Sequence, residues 1–262
     1  MPEISIMTSP ATRILFLTAL LILGLALEFV RPLRIATQPK FVRVYRNVFI
    51  AAISAVLLRF MFFPIVIWAS QFSSENKIGL LNLVEFYWPL KLALSLLLLD
   101  YTLYFWHEMN HKFPLLWRFH NVHHIDLDVD VSTASRFHFG ELIFSTAFRI
   151  LQIFIFGIDL PTVILFEICV TAFSQFHHSN VRLPLRLENF LNLLIVTPRM
   201  HGIHHSIVQN ETDSNYGIIF SFWDRIHRSL RLGILQNQIT IGVPSYRSFR
   251  DQTVFHSLLL PF

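Results

Sequence analysis

Apolar runs long enough to cross a bilayer constrain this chain before any motif does. Ile14 to Val30 is interrupted only by Thr18, Gly24 and Glu28, and residues 48–70 form a second run that contains Arg59. Residues 83–106 form a third run. At about 1.5 Å per residue such a helix covers about 36 Å, enough for a ~30 Å hydrocarbon layer. Residues 141–157 and 162–176 are apolar but shorter, and each carries one charge, Arg149 or Glu167. With the turn Gly157-Ile-Asp-Leu-Pro161 between them they predict a tight membrane hairpin. Charged residues make up only 15% of the chain, against roughly 25% in soluble domains.

Charge sets the expected orientation. Arg31, Arg34, Lys40, Arg43 and Arg46 lie between the first two runs with no acidic residue among them, which predicts a cytoplasmic loop. Arg31-Pro-Leu-Arg34 stands where a cleaved leader would have small residues, so the first run reads as a retained helix. The third run then travels inward, and both ends of the hairpin lie on the inner side. Residues 179–262 are less apolar and rich in arginine, which predicts a cytoplasmic helical cap against the bilayer. The fold class expected is an all-α integral membrane protein, with about three spanning helices, a short hairpin and this cap. No linker divides residues 1–262, so we expect one unit: membrane helices over 1–82 and a histidine-bearing region over 83–262. The net charge of +4 sits beside apolar runs, where it suits lipid head groups and not nucleic acid. A lone cysteine, Cys169, excludes an internal disulfide and reads as a small buried hydrophobe.

The histidines gather where the apolar runs stop. His107 and His111 are four apart, as are His120 and His124 with His123 between; His201, His204 and His205 repeat that second spacing. Residues four apart share a helix face, so each pair can hold one metal ion or flank two. Neutral imidazole is a common ligand for transition metals. Any one of these boxes is a weak signal; together, all at one expected membrane face, they predict a single metal centre assembled from separate helices. Iron and zinc both suit imidazole.

The set resembles the fatty acid hydroxylase / sterol desaturase superfamily, in its bacterial sterol desaturase-like branch. The likeness covers roughly residues 93–262. It is carried by Asp100-Tyr-Thr-Leu-Tyr-Phe-Trp-His-Glu-Met-Asn-His111, Leu116-Trp-Arg-Phe-His-Asn-Val-His-His124 and Ser132-Thr-Ala-Ser-Arg-Phe-His138-Phe-Gly-Glu141. Further on it rests on His178-Ser-Asn180, Thr197-Pro-Arg-Met-His201-Gly-Ile-His-His-Ser206 and Asp213-Ser-Asn-Tyr-Gly217. The resemblance implies that His107, His111, His120, His123, His124, His138, His178, His201, His204 and His205 hold two irons, about five to each. His177 stands where the family often has another polar residue and is not expected to be a ligand. Phe139 replaces a common proline, and Trp223-Asp-Arg-Ile-His-Arg-Ser departs from the usual ending. Asp100, Glu108, Arg136, Glu141 and Asn215 are the candidates to steady the ligands, since metal-bound imidazoles pass their other N–H to carboxylates or carbonyls. Asp126-Leu-Asp-Val-Asp130 reads as a solvated loop.

The implied activity is O2-dependent hydroxylation or desaturation of a lipid: sterol-like, hopanoid or fatty acyl. Its electrons would come from an external reductase, ferredoxin or cytochrome, because no haem or flavin motif is present. A bacterial inner membrane is the expected location, with the metal site on the cytoplasmic side. Two other classes compete. His107-Glu108-x-x-His111 is literally the zinc protease motif, in which the glutamate is the general base. A non-enzymatic metal-handling membrane protein would need ionisable residues along a path across the bilayer, and only Arg59, Arg149 and Glu167 qualify.

Overall fold

The computed structural model describes residues 9–262 and is helical throughout, with only isolated bridges such as Ser206 to Ile241 outside the helices. Helix α1 spans Pro10–Val30, opened by Pro10 and by the Ser9 side chain, which accepts from the Thr12 N–H. Helix α2, Lys40–Leu57, passes through a π-helical turn at Leu58–Phe62 into α3, Phe63–Glu75. Pro64 accounts for that turn: it lacks the N–H an α-helix would present to the preceding turn, and a local π segment accommodates the loss.

Helix α4 runs from Trp88 to Lys112. Phe113 breaks it in an extended conformation, and Pro114 starts α5, Pro114–His124, which folds back on α4. The expected hairpin is α6, Phe139–Phe156, and α7, Leu160–His178. Gly157 ends α6 with a φ of 75°, and the Asp159 side chain caps α7 by accepting from Thr162 N–H at 2.9 Å. Ser70 Oγ on α3 donates to Ile158 O at 2.8 Å, which fastens the hairpin tip to the long α2–α3 rod. Leu99, Ile153 and Phe166 fill the space between α4, α6 and α7 with almost no exposure.

Short helices make up the rest: α8 Leu185–Leu191, α9 Pro198–His204, α10 Gln209–Thr212, α11 Phe222–Ile226 and α12 Val254–Leu259. They gather at the end of the bundle where α4 and α7 stop. Among the described residues four helical stretches are long and apolar enough to cross a membrane: α1, the Lys40–Asn82 stretch, α6 and α7. The chain is an integral membrane protein. The third run differs from expectation in its bounds and character, because α4 starts only at Trp88 and is diluted by Lys91, Asp100, Glu108 and Lys112. Both hairpin helices, by contrast, meet the crossing criteria.

The acidic loop is also not as expected. Asp126, Asp128 and Asp130 are buried, not solvated. Arg43 donates to Asp126 Oδ1 at 2.9 Å and to Asp130 Oδ2 at 2.8 Å, while Asp128 takes the Thr37 and Gln38 N–H groups. Burial alone would raise the Asp126 carboxyl, but the Arg43 guanidinium overrides it and holds the group well below the usual carboxylate range. Part of the positive loop between the first two helices is thus consumed internally. Arg46 likewise donates to Gln252 O at 3.0 Å and draws the C-terminal segment onto the bundle.

Candidate metal centre

Nine histidines converge at that end of the bundle in two groups. His107 and His111 from α4, His120 and His124 from α5, and His204 from α9 offer nitrogens within 4.8 Å of one another. His123 from α5, His178 from α7, and His201 and His205 from α9 and its end form the second group on the same criterion.

Helix geometry explains how two boxes feed two groups. In a box with histidines at i, i+3 and i+4, the first and last lie about 40° apart around the axis, and the middle one about 100° from the last. So His120 and His124 serve the first group while His123 turns to the second. The other box does the reverse: His201 and His205 serve the second group and His204 reaches the first. Each box therefore bridges both groups.

The chemistry of the donors suits cations. Several outer nitrogens are spent on the protein: His107 Nδ1 donates to Tyr216 O at 2.8 Å and His204 Nδ1 to Ser214 O at 2.7 Å. His120 Nδ1 meets Glu141 Oε1 at 2.8 Å, and His178 Nδ1 donates to Ser174 O at 2.8 Å. With Nδ1 protonated, the neutral ring presents a bare Nε2 inward. His178 Nε2 lies 3.0 Å from both His123 Nε2 and His201 Nε2, and His201 Nε2 lies 3.1 Å from His205 Nε2. Two ligands at right angles about a common ion, each ~2.1 Å away, stand about 3.0 Å apart. Burial and the neighbouring imidazoles push His123, His124, His201 and His205 well below the usual imidazole range, and His204 to about 3. The rings are neutral at physiological pH, as ligands must be.

His138 does not join either group. It is the N-cap of α6: its Nδ1 accepts from Gly140 N–H at 2.9 Å and its Nε2 lies 3.1 Å from Leu258 O. The donor sets are therefore five and four, not five and five. His177, passed over in the sequence, is fully buried with its ring 4.1 Å from that of His201. Its place beside His178 at the end of α7 was the only available signal. Trp117 packs 5.0 Å from His111 at the outer edge of the first group.

The steadying residues divide. Glu141 touches His120 directly. Asn215 adopts a φ of 57° and is fully buried, with Nδ2 donating to Met200 O and Arg231 O and Oδ1 accepting from Arg231 N–H. That elbow aims the two flanking carbonyls, Ser214 O and Tyr216 O, at His204 and His107. Asp100 touches no histidine. It accepts from the Ile219 and Phe220 N–H groups and from Trp223 Nε1, which holds the same segment from α4. Asp224, to which the sequence assigns no role, accepts from the Tyr216 and Gly217 N–H groups. Arg136 ties the end of α5 to α2 and α12 through Val122 O, Asn47 Oδ1 and Ser257 Oγ. Glu108 is engaged by Lys112 on the outer side of α4.

A cavity of about 590 Å3 opens from the histidines into the bundle between α2–α3, α6 and α7. His107, His120, His123, His178 and His201 line one part of it, and Leu58, Phe62, Val66, Leu142 and Val163 line apolar parts.

The chain is similar to several known proteins. An ornithine lipid hydroxylase of Rhizobium tropici is 35% identical over 142 residues, 53% of this chain and 42% of that protein. A cholesterol 25-hydroxylase of Rattus norvegicus is 25% identical over 165 residues, 62% of this chain and 54% of that protein. An alkylglycerol monooxygenase of Xenopus tropicalis is 31% identical over 149 residues, 55% of this chain and 32% of that protein. The chain thus spans about half, or less, of the length of these relatives. No solved structure matches it significantly. The fatty acid hydroxylase profile matches residues 92–229, a stretch that holds all nine converging histidines, and the chain belongs to the fatty acid hydroxylase family.

Proposed function

We propose that this protein is a membrane-bound oxygenase that hydroxylates a lipid at a two-iron centre. The observation that carries the reading is the pair of histidine groups opening onto one largely apolar cavity. His107, His111, His120, His124 and His204 would hold one ion, and His123, His178, His201 and His205 the other. Bound iron would supply the reductive activation of O2 that attack on an unactivated C–H bond requires. The names of the relatives favour hydroxylation over desaturation: each is a hydroxylase or monooxygenase.

The protein's own contribution is positional. Tyr216 O, Ser214 O and Glu141 fix the rings of His107, His204 and His120, so the inward nitrogens keep their aim when ions bind or leave. The second group has one histidine fewer, and three of its members, His123, His178 and His201, line the cavity, so an ion held there would be the one the substrate approaches. Apolar side chains such as Leu142 on α6 and Val163 on α7 would line an alkyl chain in the cavity. Two electrons must arrive from outside, from a reductase, ferredoxin or cytochrome. The basic loop at Arg31, Arg34 and Lys40 lies at the histidine end, which supports a cytoplasmic site in a bacterial inner membrane.

The zinc protease reading is disfavoured by Glu108, which is paired with Lys112 instead of facing the histidine group. Lipid mass spectrometry of cells with and without the gene tests the proposal. A lipid enriched by one oxygen is expected, and it should vanish in His123→Ala. No oxygenated lipid, or one that persists in His123→Ala, would refute it.

A further inference from the structure

The same cavity that exposes the histidines also collects charge from four separate helical segments. Arg13 on α1, Arg59 in the π-helical turn, Arg149 on α6 and Glu167 on α7 all line it. Glu167 is eleven residues before His178 on α7, and Arg149 is eight residues beyond Glu141 on α6. At about 1.5 Å per residue the Arg149–Glu167 pair lies roughly 12–16 Å from the histidine end.

The charges do not balance. Arg149 Nε donates to Glu167 Oε1 at 2.9 Å, and the Arg149 guanidinium rests 4.7 Å from the centre of the Phe166 ring. Arg59 lies 5.3 Å from the centre of the Phe63 ring, and neither Arg59 nor Arg13 makes an ion pair among the described residues. Three cations line the cavity against two carboxylates, Glu167 and Glu141, and Glu141 is already held by His120, so the cations remain in excess within helices apolar enough to cross a bilayer. Uncompensated cations at such a place are costly and usually mark a function. A guanidinium fork matches a carboxylate or a phosphate in shape and charge.

Resting on the hydroxylase reading, we propose that Arg13, Arg59 and Arg149 form the seat for an anionic group on the lipid substrate. The carboxylate or phosphate sits among the arginines, and the hydrocarbon runs along the apolar wall to the histidines. The carbon presented for oxidation is then roughly 12–16 Å from the anionic group. Arg59 is the main selector, because among the described residues its charge makes no ion pair, and Glu167 positions Arg149.

The test uses the full chain in neutral detergent and two matched pairs of labelled probes: palmitate against methyl palmitate, and lysophosphatidate against monoacylglycerol. The native protein should prefer each anion at least tenfold over its neutral counterpart. Arg59→Gln should bring that preference to within twofold, and Arg59→Lys should restore part of it. Arg149→Gln should act likewise, but it breaks an ion pair whose arginine is buried; Arg59 is exposed, so its variants carry the test if Arg149→Gln does not fold. A preference for palmitate alone would assign the seat to a free fatty acid, and for lysophosphatidate alone to a phospholipid. Equal binding of acid and ester, or a preference untouched by Arg59→Gln, would overturn the proposal. An oxygenated lipid product with no anion preference would sink the seat and leave the hydroxylase reading standing. Anion preference without any oxygenated product would do the opposite.

Discussion

Asn215 offers the sharpest perturbation of the site, because it touches neither His107 nor His204 and yet aims both. Its side chain is fully buried, with hydrogen bonds of 2.9, 2.8 and 2.7 Å to Met200 O, Arg231 O and Arg231 N–H. Asn215→Ala removes all three and leaves their partners unpaired in the interior. At about 1 kcal/mol each, the loss is about 3 kcal/mol, and alanine tolerates a φ of 57° less well than asparagine. Asn215→Gly loses the same bonds but relieves the backbone, so it should be milder by about 1 kcal/mol. Asn215→Asp keeps the acceptor for Arg231 N–H but sets a carboxylate against two carbonyl oxygens, and should be at least as harmful as alanine. Freed from their carbonyls, His107 and His204 should hold metal roughly 10–100-fold less tightly. Competition against a chelator in detergent reads the affinity of the first group, and thermal unfolding of the metal-free protein reads the fold. Alanine with native stability and native metal affinity would refute the elbow, as would glycine no better than alanine.

Further outcomes follow from other contacts. Glu141→Ala removes the partner of His120 Nδ1 and should weaken metal retention in the first group about tenfold, with Glu141→Gln recovering part; unchanged retention in Glu141→Ala would contradict the role. Gly157→Ala should destabilise the hairpin by about 1–3 kcal/mol, because φ is 75° and a Cβ would lie 2.5 Å from Asn82 Nδ2; an unshifted unfolding midpoint would contradict this. Arg43→Met strands the buried Asp126 and Asp130 and should cost about 3–5 kcal/mol, read in the same unfolding assay. Asp126 is depressed in the folded state, so its contribution is complete above about pH 4, the unfolded carboxyl value, and is lost as pH falls further. The stability gap between the native protein and Asp126→Asn should be flat from pH 8 to about 5 and should shrink below about 4; a gap that grows on acidification would contradict the sign.

The histidine boxes were legible because spacing on a helix is a local property: four residues apart means one face, whatever the tertiary structure. The hairpin was legible for a similar reason, since Gly157 and Asp159 carry their own capping chemistry. What spacing does not reveal is which histidines share an ion. Helix geometry turns His123 and His204 away from their own box partners, but only inter-helix packing brings them to histidines of the other elements. His138 misled because a residue capping α6 follows extended backbone, just as a ligand at a helix mouth would. The Asp126–Asp130 run misled because its partner, Arg43, is over eighty residues distant and was counted as a loop charge. Asp224 belongs to the family likeness at Trp223-Asp224, but its role exists only once the chain has returned to place it under Tyr216.

On the proposed reading, one chain holds two redox-active ions in separate but adjoining histidine groups. Iron loaded under anaerobic conditions and counted per chain, together with its iron spectroscopy, tests this most directly. We expect two irons in the native protein and about one in each of His111→Ala and His178→Ala, with the surviving signals differing because the two variants empty opposite groups. A single ion per chain, or a count of two that neither substitution reduces, would contradict the account.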